Sequence, residues 1–247
     1  MKLAGQTAIV TGGGRDIGLA AALKLASEGA NVAINYFSSG AGADAAVDKI
    51  MAGGGRAFAM QGDLTQQADV DALVAKTIAT FGGVHVLVNN AGGLIGRKTI
   101  AEMELEHWNA VMDLNLTSVF MMTKACLAHM KTGTIVNLAS QAARDGGGAG
   151  AVAYATSKGA ITTMTRGLAK ELGPDIRVNA LCPGMIDTDF HNVHTADAAR
   201  GGYEAAVPVK RQGTVEDTAN LVLFLACKDS DFITGANIDI NGGMLFS

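Results

Sequence analysis

The chain has 247 residues, of which 49 % are hydrophobic and 17 % are charged. This composition excludes a disordered chain, because enough apolar side chains are present to form a large core. The formal net charge is −4, and no run of basic residues indicates nucleic acid or an anionic membrane as a partner. We expect a cytoplasmic protein, since no segment reaches the roughly 18 apolar residues that span a bilayer and the beginning lacks a secretion-signal pattern.

Short apolar runs alternate with longer helical patterns along the whole chain. Seven runs are typical of strands covered by helices on both faces, and they comprise residues 7–11, 31–36, 56–61, 84–89, 134–139, 177–182 and 236–240. Helical patterns cover residues 18–28, 41–52, 67–81, 104–130, 153–172 and 215–227. The alternation predicts an α/β fold, a single Rossmann-type domain over residues 1–247 with a doubly wound parallel sheet of about seven strands.

Residues 187–212 interrupt this alternation and are the least patterned stretch of the chain. Long connections of this kind are often functional, so we predict a mobile lid over a ligand site, called here the lid segment. His191 and His194 lie within it and could touch a substrate, although ordinary loop residues are the simpler interpretation. The five histidines show no zinc-ligand spacing with a carboxylate or thiol, so we expect no metal.

A glycine-rich turn follows the first predicted strand. After Thr11 the sequence reads Gly-Gly-Gly-Arg-Asp-Ile-Gly and then continues into an apolar helix. Glycines let the backbone turn sharply and approach a pyrophosphate, whose charge then lies at the positive end of the helix. In this context the pattern predicts a dinucleotide site, and the alternative is a tight connection that binds no ligand.

The end of the second predicted strand indicates which dinucleotide binds. An acidic residue there would accept a hydrogen bond from the ribose of NAD and repel the 2′-phosphate of NADP. Residues 35–39 read Asn-Tyr-Phe-Ser-Ser, without an acid, and Arg15 supplies a cation for a phosphate. The pattern favours NADP, with NAD as the alternative because Asp16 adjoins Arg15.

Three polar residues form a candidate proton-transfer group. Tyr154 and Lys158 are four residues apart in a helical pattern and therefore share one face, although such spacing alone is usual on a solvated helix. The ammonium group should lower the pKa of the phenol from its usual value of about 10. Ser140 follows the fifth predicted strand, at the sheet edge where ligands of open α/β sheets bind, and could hold a substrate oxygen beside the phenol.

With these motifs, the whole sequence resembles the short-chain dehydrogenase/reductase family, most closely its 3-oxoacyl-carrier-protein-reductase-like members. Asn-Asn-Ala-Gly at 89–92 and Pro-Gly-Met-Ile-Asp-Thr at 183–188 add to the resemblance. It implies a catalytic set of Asn115, Ser140, Tyr154 and Lys158. The cofactor-binding positions it implies are Gly12, Gly14, Arg15, Asp16, Ile17, Gly18, Asn35, Tyr36, Ser38, Asp63, Leu64, Asn90, Ala91, Gly92, Tyr154, Lys158, Pro183, Gly184, Ile186 and Thr188.

The resemblance also implies a mechanism for reducing a ketone or aldehyde carbonyl with NADP, or alternatively NAD. Ser140 would orient the carbonyl, Tyr154 would donate the proton, and Lys158 would bind the nicotinamide ribose. Asn115 would hold a water that links Lys158 to solvent, and a helix-surface asparagine is the alternative. The partners implied are a small-molecule substrate and further copies of the chain in a homotetramer.

Two other functions remain open at this point. The reverse reaction at the same site would make the protein an NAD-dependent dehydrogenase that oxidises a sugar or secondary alcohol. A non-catalytic dinucleotide-binding protein belongs to another class, but such a protein would need no acid–base group. The identity of the substrate is left open.

The chain departs from the family pattern at two places. Asp16 stands where the family usually has glycine, and we expect it to tolerate the required backbone angles with its carboxylate pointing away from the pyrophosphate. The interval from Ser140 to Tyr154 is slightly longer than usual, and this loop borders the substrate. Arg144 in the loop could pair with a substrate carboxylate, but we expect a solvated surface side chain.

Overall fold

A computed structural model describes residues 1–195 and 197–246. Ala196 of the lid segment and Ser247 of the predicted domain lie outside the described residues. The strands are β1 (Thr7–Val10), β2 (Asn31–Tyr36), β3 (Ala57–Gln61), β4 (Val86–Asn89), β5 (Gly133–Leu138), β6 (Ile176–Pro183) and β7 (Asn237–Ile240). The α-helices are α1 (Asp16–Ser27), α2 (Gly40–Ala52), α3 (Gln67–Phe81), α4 (Leu105–Met112), α5 (Ser118–Leu127), α6 (Ala142–Asp145), α7 (Val152–Leu172), α8 (Asp189–His194), α9 (Asp197–Ala206) and α10 (Val215–Ala226).

The strands of the described chain form one sheet in the order β3-β2-β1-β4-β5-β6-β7, and neighbouring strands run parallel. This confirms the predicted doubly wound α/β fold. The order reverses between β1 and β4, where successive connections leave in opposite directions. A crevice at the carboxyl ends of the strands is expected at such a reversal, and ligands bind there in open α/β sheets.

The strands are apolar on both sides because helices cover both faces of the sheet. In β1, Val10 packs in the apolar layer that contains Leu25 of α1, whereas Ile9 packs in the opposite layer with Leu73 of α3. All four side chains are fully buried. Each such burial contributes about 1.5–3 kcal/mol to the hydrophobic stabilisation, so both faces anchor the strand whose end carries the glycine-rich turn.

The predicted helix over residues 104–130 is interrupted. Between α4 and α5 the chain forms a π-helical turn at Asp113–Thr117. Asn115 lies in this turn, and its Nδ2 donates to the carbonyl of Val111 at 2.9 Å. In a regular α-helix that carbonyl would accept the backbone N–H of residue 115, so the side chain competes with the backbone and favours the wider turn.

The lid segment was predicted to be irregular, but most of it is helical, since it contains α8 and α9. Polar contacts hold it: the guanidinium of Arg200 in α9 pairs with Asp187 and also donates to Asn192 at 2.6 Å and to Gln212 at 3.1 Å. The sequence did not indicate these helices, because a helix is predicted from apolar residues at helical spacing, whereas α8 and α9 contain no buried residue. The short helix α6 was also not predicted, since it is a single turn.

No helix in residues 1–195 and 197–246 is long and apolar enough to cross a membrane. The thiols of Cys126, Cys182 and Cys227 are free and buried.

Candidate active site

A cavity of about 1020 Å³ opens at the carboxyl edge of the sheet. Its walls come from the loops after β1 to β6, the first turns of α7, and the lid segment. Ligand pockets usually enclose about 300–1,000 Å³, so this one has room for an extended ligand and a second small molecule.

Most of the predicted site residues line this cavity. They are Gly12, Arg15, Asp16, Ile17, Gly18, Asn35, Ser38, Asp63, Leu64, Asn90, Ala91, Gly92, Ser140, Tyr154, Lys158, Pro183, Gly184, Ile186 and Thr188. Three predicted residues lie behind its walls. Gly14 packs against Ser39, Tyr36 packs against Gly40 and the core, and Asn115 is fully buried behind Gly92.

The glycine-rich turn is held in place by the loop that follows β4. The hydroxyl of Thr11 accepts the N–H groups of Asn90 and Ala91, both at 2.9 Å. The Asn90 amide donates in return to the carbonyls of Thr11 at 2.9 Å and Gly12 at 3.0 Å. A Cβ at Gly18 would lie 2.5 Å from Nδ2 of Asn90, so the close approach of the helix to this network requires glycine.

The phosphate end of the cavity is built from α1 and β2. Among the described residues no side chain caps the beginning of α1, which leaves the amides of its first turn for an anion. Asn35 has an architectural role, because its side chain accepts from Gly12 N–H at 3.3 Å and donates to the carbonyl of Gly62 at 3.1 Å. The hydroxyls of Ser38 and Ser39 and the exposed side chain of Arg15 line the adjoining wall.

Asp16 connects the glycine-rich turn to the lid segment. Its φ of 49° confirms that it adopts an unusual backbone conformation. Its Oδ1 accepts the N–H of Asp189 at 3.2 Å, which directs the carboxylate towards the lid segment. Burial raises the pKa of Asp16, and the hydrogen bond from Asp189 partly opposes this effect. Arg15 lies between the two acids, 3.9 Å from Asp16 Oδ2 and 3.8 Å from Asp189 Oδ2.

Ser140, Tyr154 and Lys158 meet at the other end of the cavity. Nζ of Lys158 donates to the carbonyl of Leu138 at 2.7 Å and lies 5.7 Å from the centre of the Tyr154 ring. Burial lowers the pKa of Lys158 to about 8. Burial also raises the pKa of Tyr154, and a hydrogen bond with the Ser140 hydroxyl lowers it in part. The pKa of Tyr154 is therefore raised, whereas the Tyr–Lys spacing predicted that it would be lowered. The reason is that desolvation of the phenolate is the largest effect.

Asn115 joins α4 and α5 to the loop after β4. Its side chain exchanges two hydrogen bonds with Gly93, accepting from the N–H at 3.0 Å and donating to the carbonyl at 2.8 Å. A Cβ at the neighbouring Gly92 would lie 2.7 Å from Asn115 Oδ1 and 3.2 Å from Lys158 Nζ. Asn115 Oδ1 and Lys158 Nζ therefore border the same space beside Gly92, and Asn115 is buried and is not on the helix surface.

Arg144 is not the solvated side chain that we expected. Its side chain is half-buried, donates to the carbonyl of Asn237 at 3.1 Å, and lies 3.7 Å from Oδ1 of Asp239. It therefore attaches α6, which follows Ser140, to β7. The long-range pairing with β7 explains why the local sequence did not indicate this role.

The part of the cavity beside Tyr154 and the lid segment is called here the substrate end. Three of its residues, Phe190, Arg97 and Tyr203, were not indicated by the sequence. Phe190 of α8 lies 6.0 Å from Tyr154 between ring centres, and the rings of His191 and His194 each lie 5.1 Å from Phe190. Arg97 and Tyr203 also line the cavity. The aromatic residue and two histidines within residues 190–194 were a usable signal, but nothing local shows that this segment folds over Tyr154.

Three or more His, Cys, Asp or Glu side chains do not gather into a possible metal-binding group anywhere in the described part of the chain.

Comparisons with known proteins agree with this geometry. A family model described as Enoyl-(Acyl carrier protein) reductase matches residues 12–245. A 3-oxoacyl-(acyl-carrier-protein) reductase of Synechocystis is 40 % identical over 249 residues, covering 98 % of each chain. A blue fluorescent protein from a metagenomic library, solved in complex with NADPH, is 39 % identical with a TM-score of 0.93 and 100 % coverage of both chains. A short-chain dehydrogenase/reductase from Serratia marcescens has the same TM-score at 34 % identity, with 99 % of each chain covered.

These matches extend over nearly the whole chain and include the parallel sheet. The chain belongs to the short-chain dehydrogenase/reductase family. It is therefore an oxidoreductase of the class that interconverts CH–OH and C=O groups.

We predict that Gly92→Ala lowers turnover by about 10²-fold, because the new Cβ displaces Lys158 or Asn115 and small misplacements in an active site cost about that much. Gly93→Ala is the matched comparison, since a Cβ there would meet only Leu114 Cδ2, at 3.9 Å. The measurement is kcat for both variants, with circular dichroism to verify folding. Equal kcat values for the two variants would show that the space beside Gly92 is unimportant.

Proposed function

We propose that the protein reduces a ketone or aldehyde carbonyl to an alcohol, with NADPH as the hydride donor. The observation that carries this proposal is the grouping of Ser140, Tyr154 and Lys158 in the same cavity as the glycine-rich turn. A proton donor and a dinucleotide site that share one cavity are what carbonyl reduction requires. A protein that only binds a dinucleotide needs no proton donor.

The residues of the cavity fit NADPH. The uncapped first turn of α1 suits a pyrophosphate, and Arg15 with Ser38 and Ser39 suits a 2′-phosphate that no acid at residues 35–39 would repel. The NADPH complex of the metagenomic relative supports the same assignment. Bound NADPH would supply the hydride. NADH is the alternative, because Asp16 and Asp189 lie within 4 Å of Arg15 and weaken its positive field.

Tyr154 acts as the general acid in this proposal. Its raised pKa keeps the phenol protonated at neutral pH, so a proton is available for the developing alkoxide of the substrate. The Ser140 hydroxyl donates a second hydrogen bond to the same oxygen and fixes its position. Two hydroxyl donors directed at one oxygen favour a carbonyl substrate over the carbon–carbon double bond that the description of the family model implies.

Lys158 supplies positive charge beside the phenol and binds the nicotinamide ribose. Its ammonium group is held by the carbonyl of Leu138, and Gly92 leaves the space through which it faces the cavity. Asn115 supports this wall by fixing Gly93. The water between Asn115 and Lys158 that the family resemblance implies remains part of the proposal.

Three further features belong to the proposal. Residues 1–247 act as one domain, and the lid segment covers the substrate end of the cavity. The protein acts in the cytoplasm as a homotetramer, in keeping with the family resemblance.

The direct test is a steady-state assay with NADPH and NADH against keto-acids, keto-acyl thioesters and oxidised sugars, followed at the nicotinamide absorption band. We expect reduction with NADPH. Activity confined to NADH would contradict the NADPH assignment and would make Asp16 the first residue to replace. Oxidation of alcohols without any reduction would favour the dehydrogenase alternative.

We predict that Tyr154→Phe lowers kcat by at least about 10²-fold, as loss of a general acid typically does. Phenylalanine keeps the ring, so the affinity for NADPH should change little. The two measurements are kcat and a fluorescence titration with NADPH. A variant that turns over at the wild-type rate would show that another group donates the proton.

We also predict that kcat/KM for reduction decreases as the pH rises through about 8. Burial lowers the pKa of Lys158 to about 8, so its ammonium form is present below that pH and is lost above it. Tyr154 does not account for such a decrease, since its pKa is raised. The measurement is a pH–rate profile, and a constant rate up to about pH 10 would contradict the prediction.

A further inference from the structure

Basic side chains collect at the substrate end of the cavity. Arg97, His191 and His194, called here the basic cluster, all line it. Phe190 connects the cluster to Tyr154, since its ring centre lies 6.0 Å from that of Tyr154 and 5.1 Å from those of both histidines.

Arg97 is held in a fixed position at the mouth of the cavity. Its Nη1 donates to the carbonyl of Ala149 at 2.9 Å, and its Nε and Nη2 both lie 3.4 Å from the carbonyl of His194. These contacts use three of the five N–H donors of the guanidinium. Two donors remain for a ligand, and the side chain has already lost much of its rotational freedom.

The charge of Arg97 is not balanced by the protein. Within residues 1–195 and 197–246, no carboxylate forms an ion pair with it, whereas Arg15 and Arg200 both have acidic partners. Among the described residues five aspartates line the cavity, and each has partners other than Arg97. Asp16 and Asp189 lie beside Arg15, and Asp63 accepts from the N–H and the hydroxyl of Thr65 at 3.0 Å and 2.8 Å. Asp145 accepts from Gly147 N–H and the Gln141 amide, both at 2.8 Å, and Asp113 accepts from Thr117 at 3.2 Å.

Burial and the positive charge of Arg97 lower the pKa values of both histidines. Burial, together with the charges of Arg200, Arg97 and His194, lowers the pKa of His191 to about 4, while Asp187 opposes them. Burial and Arg97 also lower the pKa of His194. An anion beside Arg97 would compensate this charge and make both imidazoles easier to protonate.

We propose that the basic cluster binds a carboxylate group of the substrate. The carboxylate is separated from the reacting carbonyl by several bonds, because Phe190 and His194 lie between Tyr154 and Arg97. The free N–H groups of the planar guanidinium match the two oxygens of a carboxylate. This assignment of a substrate class rests on the proposed reductase function.

The test uses hexanoate and hexanamide, which have equal chain length, differ in charge, and cannot be reduced at a ketone. Imidazole C2–H resonances of the full chain with NADPH are followed by NMR during a pH titration. We expect hexanoate, but not hexanamide, to raise the titration midpoint of His194, which Arg97 lowers in the absence of an anion. His85 and His129, remote from the cavity lining, serve as internal references. Equal midpoints with the two ligands would overturn the proposal.

Two variants assign the effect to Arg97. In Arg97→Gln the hexanoate-dependent change should disappear. In Arg56→Gln, which removes an exposed arginine stacked on Phe81, it should persist. A change that survives in Arg97→Gln would show that another group binds the carboxylate and would overturn the role given to Arg97.

A kinetic comparison separates this inference from the proposed function. The substrates are 5-oxohexanoate and its methyl ester, and wild type should favour the acid in kcat/KM by about tenfold or more, as expected for a hydrogen bond to a charged group. Arg97→Gln should remove this preference. Reduction of both compounds without preference would overturn the carboxylate assignment alone. Failure to reduce any carbonyl compound of the panel would count against the reductase function, whatever the NMR titration shows.

Discussion

The site depends on the hydrogen bonds that join the turn after β1 to the loop after β4. Thr11 and Asn90 exchange them at the point where the strand order reverses, and they fix the glycine-rich turn against the wall that carries Gly92. Because the strands are parallel, β5 ends at the same edge and brings Ser140 to the other side of the crevice. The dinucleotide end and the proton-transfer end of the cavity are thus positioned by one set of buried strands.

Desolvation controls the chemistry of the polar groups on this edge. It raises the pKa of Tyr154 and lowers that of Lys158, so both groups are shifted towards their neutral forms. A protonated phenol is the form that the proposed reduction requires of Tyr154. The same effect acts on His191, where positive neighbours strengthen it. Burial in the cavity therefore sets the protonation states at the reaction centre and at the substrate end together.

The lid segment shows how helices can form without an apolar pattern. It is held by Asp16 at one end, by Arg97 at His194, and by Arg200 within the segment. Such polar contacts are individually weak, because exposed ion pairs contribute only about 0–1 kcal/mol. An element attached in this way can exchange with solvent-exposed conformations at low energetic cost.

The sequence by itself determined the α/β fold, the parallel sheet and the glycine-rich turn, because apolar periodicity and glycine placement are local properties. Most of the other cavity-lining positions were implied by the resemblance to the family. The sequence also indicated Ser140, Tyr154 and Lys158, which follow recognisable strand and helix signals. Only the tertiary structure decided the direction of the Tyr154 pKa, the burial of Asn115 in a π-helical turn, and the attachment of Arg144 to β7. The same holds for the approach of Phe190 to Tyr154. These properties depend on desolvation and on contacts between residues distant in the chain, for which no local pattern exists.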